Sequence, residues 1–120
     1  MLKNKAMLEL ELCGKKQHIQ TNEIKIRELD IYFHQFDPCC DIVVRGAEVE
    51  LKFKLKNKSD MDLHNLEFSN FLGRNEYVEG SFKVCGEHKK PKLFGDKVIY
   101  RIHCLHPGDE MEITFKIKIA

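Results

Sequence analysis

Between Ala47 and Asn57 the chain alternates without a break: Ala47, Val49, Leu51, Phe53 and Leu55 against Glu48, Glu50, Lys52, Lys54 and Lys56. A two-residue repeat is the period of a β-strand, whose successive side chains point to opposite faces of a sheet. One apolar and one charged face predict a half-buried strand. The same repeat runs through Met111, Ile113, Phe115, Ile117 and Ile119, with Glu112, Thr114, Lys116 and Lys118 between them. Val98, Tyr100, Ile102 and Cys104 make a third stripe. Shorter ones are Leu66 with Phe68, Phe82 with Val84, and Leu8, Leu10 and Leu12.

Turn signals separate these stripes: "CGKK", "RG", "NKSD", "LGRN", "FGD" and "HPGD". The last is the strongest. Pro107 presets the first central position of a turn, and Gly108 permits the positive φ that a type II turn needs at the second. Lys97 to Ile119 therefore reads as a hairpin, or as two strands that cross between sheets. Asn57 is suited to an Asx turn closed two residues on. Gly80 and Gly86 suit positive φ or a bulge.

In "TNEIKIRELDIYF" the apolar phase slips between Ile26 and Leu29. A bulged strand explains this; a short helix capped by Thr21 or Asn22 is the alternative. No other segment keeps a 3.6-residue pattern. Many short strands with closely spaced turns predict an all-β, Ig-like antiparallel β-sandwich of seven to nine strands. Its expected core is Val49, Leu51, Phe53, Leu55, Tyr100, Ile102, Ile113, Phe115 and Ile117. Residues 29–120 are expected to form the sandwich. Residues 1–28 are expected to add a hairpin or edge strand, since so short a piece cannot bury a core alone. If Leu8, Leu10 and Leu12 are exposed, that strand would pair with a second copy.

Composition narrows the picture only slightly. The 120 residues are 42% apolar and 32% charged, with a net charge of +1 and the two signs interleaved. That is a globular balance, with no basic stripe for nucleic acid. No apolar run is long enough to span a bilayer, and "MLKNKAMLELELCG" lacks the continuous apolar stretch of an export signal. Localisation is left open. The five cysteines are Cys13, Cys39, Cys40, Cys85 and Cys104. An odd count argues against a full disulfide framework and for free thiols. One bridge remains open, with no pair selected.

The candidate chemistry is sparse. "CGEH" and "HCLH" place Cys85, His88, Cys104 and His106 as a conceivable tetrahedral zinc set. The plainer reading is a buried Cys104, in phase with Ile102, beside solvated histidines. "PCC" (Pro38 to Cys40) reads as a loop before it reads as a redox pair or a metal site. Cys–His nucleophilic catalysis needs a base oriented by a third group, and nothing in the spacing supplies one. No catalytic residue and no cofactor is expected. Phe33, Phe36, Phe71, Tyr77, Phe94 and Phe115 are core or loop-anchoring aromatics, with Phe71 and Phe94 candidates for an exposed contact patch. "EHKKPK" (Glu87 to Lys92) reads as a solvated loop rather than a phosphate site. The Lys/Glu face of 47–57 reads as cross-strand charge pairing.

From Leu29 to Ile119, about three-quarters of the chain, the sequence resembles the bacterial conserved-repeat domain known as domain of unknown function 11. Three stretches carry the resemblance. "FDPCCDIVVRGAEVELKFKLKNKSDMDLHNLEFSN" has its Asp-Pro, its Gly before a long alternating strand and its Asn after it. "YVEGSFKVCGE" has its Gly-Ser before a strand ending in a Gly turn. "GDKVIYRIHCLHPGDEMEITFKIKI" has its Pro-Gly before the last strand. The resemblance implies an Ig-like sandwich, no catalytic residues, and a role in surface scaffolding of exported or wall-attached proteins. The expected function is a non-catalytic structural or protein-binding module that engages a protein partner, or a second copy, through an edge strand. The alternatives are a carbohydrate- or ligand-binding sandwich and a Cys/His metal-dependent regulator.

Overall fold

The computed structural model describes residues 5–12, 15–20, 31–36 and 44–120; within the first three segments, side chains are described for 6–9 and 32–36. Among these residues there is no helix. The strands are β1 (Lys5–Leu12), β2 (Lys15–Gln20), β3 (Ile31–Phe36), β4 (Glu48–Asn57), β5 (Leu63–Phe71), β6 (Glu76–Tyr77), β7 (Lys83–Val84), β8 (Glu87–His88), β9 (Lys92–Phe94), β10 (Lys97–Leu105) and β11 (Glu110–Lys118). One sheet has the order β2-β1-β5-β10-β9. The other has β3-β4-β11-β7-β8, with β6 also on β11. Every pairing is antiparallel. This is the Ig-like antiparallel β-sandwich that the alternation predicts. Seven strands run six residues or more; the other four run two or three, too short to carry an alternation.

The core lies between the sheets and is aromatic. Phe33, Phe53, Phe68, Phe82 and Phe115 are all buried. Phe68 meets Phe53 edge-on at 4.9 Å, and Phe82 stacks on Phe115 at 5.6 Å. Edge-on and offset contacts are the favoured ring geometries. Of the expected core, Leu51, Phe53, Leu55, Ile102, Ile113, Phe115 and Ile117 are buried, while Val49 and Tyr100 are partly buried against it.

The "HPGD" turn crosses between sheets, with β10 in one and β11 in the other. The Asp109 amide donates to the His106 carbonyl at 3.0 Å across a turn whose Gly108 has φ +81°. The Cys104 stripe needs a correction. On β10 the inward phase of Val98 and Ile102 passes to Leu105, and Cys104 is only half-buried. Its partner strand changes phase at the same level, from Leu66 to Leu63, across Asn65 in the left-handed region at φ +54°. Paired strands that turn together keep their register while exchanging faces.

Within residues 1–28, β1 and β2 form a hairpin, with β2 terminal in its sheet and β1 paired on its other side with β5. Ala6 and Leu8 join the core. Leu8 is therefore not available to a second copy. The side chains of Leu10 and Leu12, residues 21–30 with most of the phase slip, and Cys13, Cys39 and Cys40 lie outside the described residues.

Candidate interaction surface

At one end of the sandwich the turns after β4 and β10 are tied together by Asn57. It continues the inward phase of Leu51, Phe53 and Leu55 and is completely buried. Its Nδ2 donates to the carbonyls of Met61 at 2.8 Å and Leu105 at 2.9 Å. Its Oδ1 accepts from the Ser59 amide at 3.0 Å, the expected Asx turn, and from the Ser59 hydroxyl. Its backbone donates to Asp109 O and accepts from Gly108 N. All four hydrogen-bonding positions of the carboxamide are filled.

Above this knot, Asp62, Cys104 and His106 meet at the surface. His106 Nδ1 donates to Asp62 Oδ1 at 2.8 Å, and the His106 amide donates to Asp109 Oδ2 at 3.0 Å. The hydrogen bond to Asp62, then the charge of Asp62, then that of Asp109 hold the imidazole above its ordinary pKa. Cys104 Sγ lies 3.7 Å from Nδ1 and 3.8 Å from Nε2. Near-equal distances place the sulfur off the lone-pair axis of either nitrogen. Partial covering, then Asp62 and Asp109, pushes the thiol above its ordinary pKa. A nucleophile requires the thiolate, so this environment works against that role.

The sequence also grouped Cys85 and His88 with this pair. Cys85 lies on the other sheet, exposed in the turn between β7 and β8, its amide donating to Glu112 O at 2.8 Å. His88 is on β8, also exposed. The fold brings Cys104 and His106 together, with Asp62 as a third group the spacing did not reveal. Among the described residues no group of three or more His, Cys, Asp or Glu side chains is arranged to hold a metal ion.

The two outer faces differ in how their charges are matched. On the β4–β11 face, Lys56 stands opposite Glu110, Lys54 opposite Glu112, Glu50 opposite Lys116 and Glu48 opposite Lys118. Ion pairs form at 3.6 Å (Lys56–Glu110), 3.7 Å (Lys52–Glu112) and 4.0 Å (Lys54–Glu110). Lys52 and Lys58 also lie over the rings of Phe36 and Tyr32, at 5.4 and 5.5 Å. This is the cross-strand pairing read from the sequence.

The outer face of the five-stranded sheet is different. Phe71, Lys97 and Phe94 stand in one row across β5, β10 and β9. Pairs directly opposite share a face, so Phe71 and Phe94 flank Lys97 in the row. Phe94 is 69% exposed and Phe71 50%. The next row holds Met7, Ser69, Ile99 and Lys92. Leu93, on the edge strand, is 49% exposed. The "EHKKPK" stretch is not all loop, since Glu87–His88 form β8 and Lys92 opens β9; it leads directly into this corner, where Lys89, Lys90, Lys92 and Lys97 are all exposed. Lys89 reaches Glu87 at 3.8 Å; among the described residues Lys90, Lys92 and Lys97 form no ion pair. The sequence singled out Phe71 and Phe94 but missed the lysine between them. The "FGD" turn was the available signal: pairing two residues across it places Phe94 opposite Lys97.

No protein-family model, curated protein or solved structure matches this chain.

Proposed function

We propose that this chain is a non-catalytic protein-binding module that docks a partner through the outer face of its β2-β1-β5-β10-β9 sheet. The observation that carries the proposal is the row Phe71–Lys97–Phe94, two exposed rings carried on paired strands. Large aromatics held with little side-chain freedom are effective anchors of protein interfaces. The resemblance of residues 29–119 to the bacterial conserved-repeat domains accords with this scaffolding role.

The alternatives receive less support. A sugar site would stack on rings gathered in one concavity, whereas Phe71 and Phe94 stand two strand spacings apart, about 10 Å, with Lys97 between. A metal-dependent regulator built on Cys85, His88, Cys104 and His106 would need the four side chains together, and the first two lie on the other sheet from the last two. No helix among the described residues is long and apolar enough to cross a membrane.

The test is affinity capture from the native cell with the wild-type chain and with Phe71→Ser/Phe94→Ser. Both rings point outward, so the variant should keep its β-rich circular dichroism spectrum and its unfolding midpoint while losing its partner. Capture that is the same for both proteins refutes docking through this face.

A further inference from the structure

Beside the basic, aromatic corner lies a strand edge: among the described residues β9 ends its sheet and pairs only with β10. The two-residue turn Gly95–Asp96 closes that pairing, with Phe94 opposite Lys97, Leu93 opposite Val98 and Lys92 opposite Ile99. In a hairpin of this length the closing pair exchanges both hydrogen bonds, and the next pair exchanges none. The N–H and C=O of Leu93 therefore point away from the sheet. No hydrogen bond between described residues engages them. Exposed apolar edges are templates for strand addition, and folded proteins ordinarily blunt them. β9 is short and carries Lys92 after Pro91, which limits open-ended pairing, but Leu93 and Phe94 stay 49% and 69% exposed beside the outward groups.

Resting on the docking reading above, we propose that the β9 edge takes up an extended, acidic and apolar segment of a partner protein as an added β-strand. The pleat dictates the pattern such a segment must carry. A residue set opposite Phe94 shares the outer face and should be apolar. The next, opposite Leu93, faces the other way and should also be apolar. The next, opposite Lys92, returns to the outer face and should be Asp or Glu. One outward N–H and one outward C=O supply little affinity by themselves. The rings supply contact area, and Lys90, Lys92 and Lys97 select the sign of the partner.

Charge also chooses between occupants. A second copy adding its own β9 would bring two sets of Lys89, Lys90 and Lys92 together, and like charges across an interface oppose association. A single-stranded nucleic acid would suit rings and lysines but would leave the strand edge unused.

The probe is a synthetic peptide with the core Glu-Val-Phe-Val-Glu, a palindrome that presents the same pattern in either strand direction. Its binding to the whole chain is followed by fluorescence anisotropy and by amide chemical shifts. Saturable binding is expected, with shifts centred on Lys92–Phe94 and Lys97. Lys92→Glu/Lys97→Glu should weaken it roughly tenfold or more, by reversing two charges at the contact. The same peptide with Lys in place of Glu should not bind. Leu93→Pro removes the outward donor without removing a bond to β10, and should abolish the shifts. Because that substitution also tests the tolerance of β9, a peptide N-methylated at its central residues removes the same bonds from the other side and should bind more weakly than the unmodified peptide. No binding, equal binding of the lysine peptide, or indifference to charge reversal and N-methylation each overturns the inference. So does preferential binding of oligothymidylate, which would assign the face to nucleic acid. If the peptide fails while capture still depends on Phe71 and Phe94, strand addition is wrong and the docking reading stands.

Discussion

Replacing Asn57 should be among the costliest single polar changes in this protein. The residue is completely buried, and its carboxamide makes four hydrogen bonds to Ser59, Met61 and Leu105. In Asn57→Ala the Leu105 carbonyl, at a buried residue, and the Ser59 amide lose these partners. The Met61 carbonyl keeps its weaker bond from the Ser59 hydroxyl, at 3.2 Å. A hydrogen bond contributes about 0.5–1.5 kcal/mol net, and a buried group left unpaired costs about 1–3 kcal/mol. Four bonds with one partial replacement give a loss of roughly 2–4 kcal/mol, a large share of the ~5–15 kcal/mol typical of a domain. Asn57→Asp tests the chemistry rather than the volume. It keeps the acceptor facing Ser59 but turns an oxygen toward the two carbonyls that Nδ2 now serves. At neutral pH it should be worse than Ala, because a buried carboxylate meets two acceptors. Its carboxyl pKa should be raised in the folded state. The folded Asp variant then binds more protons than the unfolded one, so its stability falls as pH rises above the unfolded value of about 3.9 and levels off above the folded value. Urea unfolding followed by circular dichroism, at neutral pH and near pH 4, measures all of this. A loss below about 1 kcal/mol for Ala, or an Asp variant no worse than Ala and without the pH dependence, refutes the idea that this carboxamide ties the two turns together.

Cys85 has φ +51° and is followed by Gly86 at +81°, the geometry of a type I′ hairpin turn. Cys85→Asn should therefore stabilise the domain by about 0.5–1 kcal/mol, seen as a raised urea midpoint, since Asn tolerates the left-handed region better. Gly108→Ala places a side chain at φ +81° in the crossing turn and should cost about 1–2 kcal/mol in the same assay. The imidazole of His106 is raised by Asp62, so its small stabilising contribution is complete below the unfolded value near 6.5 and is lost as pH rises through the folded one. Asp62→Asn should move the His106 titration, followed by NMR, back toward the ordinary value. Phe53→Ala, deep among the core rings, should cost about 3–5 kcal/mol.

The sequence by itself determined the long alternating strands and most of their faces. Alternation is a local property: in 47–57 and 110–119 each side chain's face follows from its position in the pleat, so the core side of β4 and β11 and their matched charges could be read directly. The same holds for turns whose residues have special backbone geometry, Pro107–Gly108 and the Asx turn of Asn57. Tertiary structure decided what local pattern does not encode. It placed β1 between β2 and β5 and sent Leu8 into the core, because strand order depends on which edges meet and not on the strand's own residues. It turned β5 and β10 together near Asn65, leaving Cys104 half-buried where the stripe placed it inside. It brought Asp62 to His106 across 44 residues of chain, and set Cys85 on the opposite sheet from Cys104, separating a group that looked continuous in spacing. The apolar corner at Phe71, Leu93 and Phe94 is the same kind of outcome. Each residue is unremarkable in its own strand, and only the register of three strands puts the two rings in one row with Lys97 beside an open edge.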